Sequence, residues 1–287
     1  MAPGIQAGLG TDGITGPMRF AICNELFGEW PWERVCEFAR GLGYEGLEVA
    51  PFTLADSAEQ VSPQRRSELR RAAESRGVAV LGLHWLLVKP PGLYITHPDA
   101  SVRRRTADYF RQLVDLCADL GGDVMVIGSP KQRSLLPGVS RGQALNYAKE
   151  VFATSLDPAA RRGVTLAFEP LGPAETDFVN TVAEAIDLVK RLNHPAFRIN
   201  LDVKAMSAEP GCVADVIRSA KGYVAHVQVN DPNLLGPGMG EVKYEPIVAA
   251  LREIGYDGWL SVEAFDFKAG AERIAQESIE YLKRVMG

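Results

Sequence analysis

The sequence predicts a single-domain α/β protein, a (β/α)₈ barrel of the TIM barrel type, and three observations support this prediction. Eight short runs of β-branched, leucine or aromatic residues alternate with helical stretches along the chain. Glycine or asparagine recurs where the predicted helices end, as at Gly77, Gly163 and Asn193. No GxGxxG motif opens the first unit, which argues against an open dinucleotide-binding sheet. Strict alternation over eight strands fits a closed parallel barrel better.

The predicted strands are short apolar runs, as expected for strands that are buried on both faces. They span residues 19–24, 46–50, 79–84, 124–127, 165–169, 198–202, 224–229 and 259–263. The helices predicted between them include residues 32–41, 63–76, 101–120, 142–162, 181–192 and 244–254.

The barrel is expected to occupy residues 18–287. Residues 1–17 are glycine-rich and have neither the basic start nor the apolar centre of a signal peptide. We therefore predict a disordered N-terminal extension there. No stretch rich in proline, glycine or serine divides the remaining chain into two domains.

Composition excludes several classes of partner. The net charge is −5 and acidic and basic residues are mixed, so no basic face for nucleic acid is expected. No stretch approaches the ~20 apolar residues that a membrane span requires. The four cysteines are scattered without a CxxC spacing, which favours a reduced, cytoplasmic protein.

Polar residues close almost every predicted strand, and the carboxyl ends of the strands form the active face of such barrels. The residues at these ends are Asn24, Glu25, Glu48, His84, Gly128, Ser129, Glu169, Asp202, Gln228, Asn230 and Glu263, and all except Gly128 have polar or ionisable side chains. Converging carboxylates repel one another unless a cation lies between them. The best candidate ligands end the fifth to eighth strands: Glu169, Asp202, Gln228 and Glu263. Their oxygen donors suit Mn²⁺ or Mg²⁺ better than zinc. The alternative is a set of ordinary loop-edge polar residues, with one carboxylate paired to Lys204.

The segments that carry these residues resemble the xylose isomerase-like barrel family, often labelled sugar phosphate isomerase/epimerase. That family includes hydroxypyruvate isomerase, ketose 3-epimerases and inosose dehydratase, and the resemblance covers nearly the whole chain after residue 17. The segments are LAFEPLGPAETDFVNT (166–181), INLDVKAM (199–206), HVQVNDPNLLGPGMGE (226–241) and YDGWLSVEAFDF (256–267).

The resemblance implies the same four metal ligands and adds roles for them. Glu169 and Glu263 would also shuttle protons, and Glu175 would bind substrate. The metal would be Mn²⁺, with Mg²⁺ or Co²⁺ as alternatives. Relatives are often dimers or tetramers, so a homo-oligomer is an expectation from the resemblance.

The chain departs from the ketohexose 3-epimerase pattern at three positions. Many relatives end the seventh strand with HxH, whereas this chain has Gln228 in the ligand position, as in the hydroxypyruvate isomerase-like branch. Ala205 and Leu234 replace a histidine and an arginine that handle substrate oxygens in those relatives. These departures argue against ketohexose 3-epimerisation.

Five further residues are candidate substrate contacts. His84 ends a strand, and His226 lies on the same side of its strand as Gln228 but deeper. Trp30 could wall the pocket, and Lys204 and Arg133 could bind an anionic group. The alternatives are core histidines, loop packing and solvated surface cations.

The predicted function is a divalent-metal-dependent isomerase or epimerase of a small keto-sugar or keto-sugar acid. The cation would stabilise an enediolate, and two glutamates would transfer the proton, which is typically worth ~10²–10⁴-fold. A lyase, either a decarboxylase or a dehydratase acting on a related keto-sugar acid or inosose, is the alternative. A multi-zinc endonuclease IV-type site is disfavoured, because the chain has four histidines, only two of them at strand ends, and a net negative charge. A catalytically silent barrel would be expected to lack part of the ligand set.

Overall fold

The computed structural model describes residues 18–287, so the predicted extension at residues 1–17 lies outside the described residues. Eight strands form one closed barrel in which each strand pairs with its sequence neighbour and the eighth pairs with the first. All eight pairings are parallel. The strands are β1 (Arg19–Cys23), β2 (Gly46–Val49), β3 (Ala79–Leu83), β4 (Val124–Ile127), β5 (Thr165–Phe168), β6 (Phe197–Asp202), β7 (Val224–Val229) and β8 (Trp259–Val262). The predicted fold class is confirmed.

The α-helices lie in the connections between strands and after the last strand. They are α1 (Trp32–Leu42), α2 (Pro63–Glu74), α3 (Ala100–Leu120), α4 (Arg141–Arg162), α5 (Val182–Leu192), α6 (Val203–Met206), α7 (Val213–Ser219), α8 (Tyr244–Ile254) and α9 (Ala271–Met286). Short 3₁₀ helices follow β1, β2 and β4. Within residues 18–287, no helix combines the length and apolar character needed to cross a membrane.

Local sequence explains where several helices begin and end. Ser140 and Gln143 form a reciprocal capping box at the start of α4. Gly43, Gly163 and Asn193 end their helices in the left-handed conformation, which glycine and asparagine adopt most readily. The stop residues read from the sequence at 163 and 193 are therefore the observed caps.

Several predicted strands end one residue later than the observed strands. Asn24, His84, Glu169 and Glu263 each follow the last residue of a strand. These polar residues thus lie just beyond the hydrogen-bonded ladder, at the carboxyl end of the barrel. In this fold that end carries the active site.

The barrel interior is apolar at its amino end and polar at its carboxyl end. A separate buried cluster contains Ala21, Leu81, Val124, Ala167 and Trp259. Side chains two residues apart on a strand point to the same face. Ala167 is therefore followed on the interior face by Glu169, and Trp259 is followed by Ser261 and then Glu263. The strand period alone places the acidic residues above an apolar floor.

Close packing between β3 and β4 predicts that Gly82→Ala destabilises the barrel. A Cβ at position 82 would lie 2.2 Å from the backbone oxygen of Val124, which cannot move without distorting the strand pair. We expect the free energy of unfolding in urea to fall by about 1–3 kcal/mol. Gly142→Ala, on helix α4, is the matched control, because a Cβ at that position would have no neighbouring atom within 4 Å. It should be neutral or stabilising by roughly 0.5–1 kcal/mol. Equal urea midpoints for Gly82→Ala and the wild type would contradict this packing argument.

Candidate active site

A cavity of about 320 Å³ opens at the carboxyl end of the barrel. It is lined by residues that follow or end strands β3 to β8, together with residues of the loops beyond them. The polar side chains in its wall are His84, Ser129, Glu169, Glu175, Lys204, Gln228 and Glu263. Three of the four predicted metal ligands and both predicted acid–base residues therefore face one space. The fourth predicted ligand, Asp202, is 1% exposed at the end of β6.

The carboxylate of Glu169 is buried, and it occupies space next to Gly128, the residue that follows β4. A Cβ at position 128 would lie 2.2 Å from Oε2 of Glu169, so the absence of a side chain at Gly128 is required for this arrangement. Burial raises the pKa of Glu169 well above its usual value, and the charges of Asp202 and Glu263 raise it further. Mutual repulsion of this kind is what a bound cation would relieve.

Asp202 is held in place by two hydrogen bonds. Its Oδ1 accepts from the backbone N–H of Ala205 at 2.7 Å, which caps the short helix α6. Its Oδ2 accepts from Nδ2 of Asn230 at 2.5 Å. Burial raises the pKa of Asp202, although Lys204 and both hydrogen bonds oppose the rise. Each carboxylate oxygen keeps a lone pair that these contacts do not use.

Glu263 forms one end of a buried hydrogen-bonded chain. Its Oε1 lies 3.2 Å from Nδ1 of His84, and Nε2 of His84 lies 2.9 Å from Oε2 of Glu25. Both ring nitrogens of the histidine are therefore engaged, which fixes the orientation of the ring. Burial raises the pKa of Glu263 to about 8, although the His84 contact opposes the rise.

Glu48 organises a second buried network below the cavity. Its Oε2 lies 3.0 Å from Nε2 of His226, and its Oε1 accepts from Nε2 of Gln228 at 3.2 Å. The Oε1 of Gln228 accepts from Nδ2 of Asn200 at 2.7 Å. Burial would raise the pKa of Glu48, but the charge and hydrogen bond of His226 outweigh it and lower the pKa to about 2. The network holds both ends of the Gln228 amide.

The donor set fits a divalent cation that prefers oxygen. Glu169, Asp202, Gln228 and Glu263 all offer oxygen atoms. The charge of Asp202 raises the pKa of both Glu169 and Glu263, and the charge of Glu263 raises that of Glu169. Their carboxylate oxygens do not all lie within 4.8 Å of one another in this structure. Another candidate metal-binding group, drawn from the described residues, does meet that distance. It consists of Cys23, Glu25, His84 and Glu263.

Comparison with known proteins identifies the family. The family model described as "Xylose isomerase-like TIM barrel" matches residues 36–285. The chain belongs to this family. A D-psicose 3-epimerase from Enterocloster bolteae is 29% identical over 257 residues, which cover 84% of this chain and 80% of that protein. An L-ribulose 3-epimerase from Mesorhizobium japonicum is 26% identical over 185 residues, which cover 64% and 62% respectively.

The present chain has the same fold as a crystal structure of D-psicose 3-epimerase from Clostridium cellulolyticum. It superposes with a TM-score of 0.83 and 22% identity, over 94% of this chain and 99% of that chain. The resemblance stated from the sequence motifs is thus confirmed. The predicted enzyme class, a sugar isomerase or epimerase, agrees with the relatives by sequence.

Two predicted substrate contacts lie in the cavity wall as an ion pair. Nζ of Lys204 is 2.8 Å from Oε2 of Glu175, and it also lies 4.9 Å from the centre of the Phe265 ring. His84, a third predicted contact, lines the same cavity. Their roles in substrate binding stay predictions.

The structure places three other predicted contacts away from the cavity wall. Arg133 is fully buried, and its Nη1 donates to the backbone oxygen of Glu169 at 2.6 Å. Trp30 packs against Phe27, at 5.4 Å between ring centres, and Arg34 covers its face at 3.5 Å. His226 lies beneath the cavity, paired with Glu48 as described above. In this structure these three residues pack against their neighbours or hold them in position. Direct contact of any of them with a substrate stays a prediction.

Several residues around the cavity are not among the candidate ligands and substrate contacts predicted from the sequence. Cys23 is one of the four scattered cysteines, yet its Sγ lies 3.6 Å from Oε2 of Glu48 and 3.7 Å from Nδ1 of His84. Glu25, Glu48 and Asn230 each appeared among the polar strand-end residues. Their spacing on the strands was the available signal. Their partners come from strands far away in sequence and gave no local signal.

We expect Asp202→Asn to lose most metal affinity while keeping the fold, because the asparagine oxygen can still accept the Ala205 hydrogen bond and only the contact with Asn230 is lost. Titration calorimetry with Mn²⁺ should show a loss greater than about 100-fold, since even indirect partners of metal ligands cost 10–100-fold. Asp187→Asn, on the exposed face of α5, is the matched control and should bind Mn²⁺ like the wild type. Equal Mn²⁺ affinity of Asp202→Asn and the wild type would remove Asp202 from the ligand set.

Replacing Glu48 should destabilise the protein. Glu48→Gln removes a fully buried charge and leaves His226 facing an amide, so we expect unfolding in urea to require about 3 kcal/mol less free energy. The exposed Glu45→Gln on the preceding loop should change stability by no more than about 0.5 kcal/mol. A Glu48→Gln protein as stable as Glu45→Gln would show that the network adds nothing to stability.

Proposed function

We propose that this protein is a divalent-metal-dependent epimerase or isomerase of a small neutral keto-sugar, with Glu169 and Glu263 as its acid–base pair. The observation that supports this most directly is the position of the two glutamates. Both are buried, one directly after β5 and the other directly after β8, and both face the same cavity. Two carboxylates around one carbon are what proton removal and return require.

The residues of the chain can supply each part of this chemistry. Glu169, Asp202, Gln228 and Glu263 would hold the cation, for which Mn²⁺ fits the oxygen donors. A bound divalent cation stabilises negative charge that develops on substrate oxygens, by several kcal/mol. One glutamate removes the proton next to the carbonyl, and the other returns a proton to the opposite face or to the adjacent carbon.

Burial without a cation raises the pKa of Glu263 to about 8 and that of Glu169 well above its usual value. A bound divalent cation would lower both pKa values and keep the carboxylates ionised, as both metal binding and proton removal require. His84, held by Glu25, keeps the Glu263 carboxylate in a fixed position during proton transfer.

The charges around the cavity favour a neutral sugar over a sugar acid. Lys204 is paired with Glu175, and the buried Arg133 donates to backbone oxygens. A carboxylate on the substrate would therefore meet Glu169 and Glu263 without a dedicated cationic partner. The names of the relatives, D-psicose and L-ribulose 3-epimerase, support epimerisation next to a carbonyl. The substrate is expected to differ from a free ketohexose, because Ala205 and Leu234 stand where ketohexose 3-epimerases carry histidine and arginine.

Proton exchange tests the proposal. After EDTA treatment and reloading with Mn²⁺, the enzyme should catalyse incorporation of deuterium from D₂O next to the carbonyl of one member of a ketose and keto-sugar acid panel, followed by NMR. We expect Glu169→Gln and Glu263→Gln each to lower the exchange rate by about 10²–10⁴-fold. Glu245→Gln, on the exposed face of α8, is the control and should retain wild-type exchange.

Two outcomes would contradict the proposal. Release of CO₂ or water from the responding compound would identify a lyase. Exchange by the wild type that survives EDTA, or that both glutamate variants retain, would remove the metal or the acid–base pair from the mechanism.

A further inference from the structure

An apolar cleft lies beside the catalytic cavity and shares part of its wall. The cleft encloses about 720 Å³ at the open end of the barrel. Trp85, which follows β3, and Phe265, which follows β8, line both spaces. Their rings meet edge to face, with centres 6.3 Å apart. A molecule held in the catalytic cavity can therefore extend past these rings into the cleft.

The outer part of the cleft exposes large apolar side chains to water. Val88 is 39% exposed and Phe267 is 42% exposed, and Phe52 completes this part of the lining. Within residues 18–287, only one other large hydrophobic side chain, that of Leu234, is comparably exposed. Contiguous exposed apolar surface of this kind marks a binding surface more often than chance would give.

The base of the cleft contains an unsatisfied carboxylate oxygen. Glu25 lines the cleft, and its side chain is only 8% exposed. Its Oε2 is hydrogen-bonded to His84, whereas its buried Oε1 has no hydrogen-bond partner among the described residues. Leaving a buried acceptor unpaired is costly, and this oxygen lies beneath the lining of the cleft and not on its surface.

The backbone at Trp85 is also unusual. Its φ of 52° lies in the left-handed region, which bulky residues rarely adopt. Such conformations persist where the surrounding structure enforces them, and they cluster at ligand-binding sites. The residue with this conformation is the one whose indole ring lines both the catalytic cavity and the cleft.

We propose that the cleft binds an apolar substituent, best an aromatic ring, carried by a keto-sugar whose sugar part occupies the catalytic cavity. This inference rests on the proposed function and specifies its substrate class. A concave space with aromatic and aliphatic walls suits a small apolar ring. Its shared wall with the catalytic cavity makes that ring part of the substrate.

Binding measured without turnover tests this inference. The Mn²⁺-loaded protein would be titrated calorimetrically with two pairs of compounds: phenyl and methyl 3-keto-β-D-glucopyranoside, and 6-O-benzyl- and 6-O-methyl-D-fructose. In at least one pair, the aromatic member should bind about ten-fold or more tightly than its methyl counterpart, because it buries more apolar surface. Phe267→Ser should reduce that preference several-fold, and the conservative Phe267→Leu should retain most of it.

Three outcomes would overturn the inference. The first is equal affinity within both pairs, and the second is no binding of any of the four compounds. The third is a dimer in size-exclusion chromatography that Phe267→Ser separates into monomers, because a second copy of the chain would then cover the cleft. Failure of the proposed function is distinguishable from these. A protein with the aromatic preference but without proton exchange retains the cleft and loses the epimerase assignment.

Discussion

The burial of several carboxylates at one end of the barrel is the constraint on which the rest of the site depends. Charged carboxylates are expensive to remove from water unless each has a partner. Glu48 has His226 and Gln228, Asp202 has Asn230 and a helix N-terminus, and Glu263 has His84. The carboxylate of Glu169 has no such side-chain hydrogen bond among the described contacts, and its raised pKa reflects that environment.

The two buried networks each hold a different proposed ligand in position. The network around Glu48 lies deeper and holds Gln228, so it fixes one proposed ligand from below. The chain from Glu25 through His84 lies at the rim and holds Glu263 from the side. Residues that act through these networks do not need to touch a substrate to matter for the chemistry. This explains how His226 contributes to the site from a position beneath the cavity wall.

The sequence predicted the fold and most of the cavity-lining residues for one physical reason. Parallel strands end at one edge, and side chains two residues apart share a face, so polar residues at the ends of apolar runs must converge. This reasoning led to Glu169, Asp202, Gln228, Glu263 and His84. It was less informative for Trp30 and Arg133, which were chosen by residue type and loop position. In the structure Trp30 packs against another aromatic ring, and Arg133 donates a hydrogen bond to the protein backbone. The residue type alone does not reveal these neighbours.

By itself, the sequence determined the order of strands, the helix caps and the edge of the barrel at which the acidic residues collect. These features follow from local periodicity and from the conformational preferences of glycine and asparagine. Tertiary structure decided which side chains pair. Glu48 meets His226, and Glu263 meets His84, across 178 and 179 residues of chain. It also decided that Trp85 and Phe265 together wall two adjoining spaces. Such contacts depend on barrel closure and on side-chain orientation, and neither has a local signature in the chain.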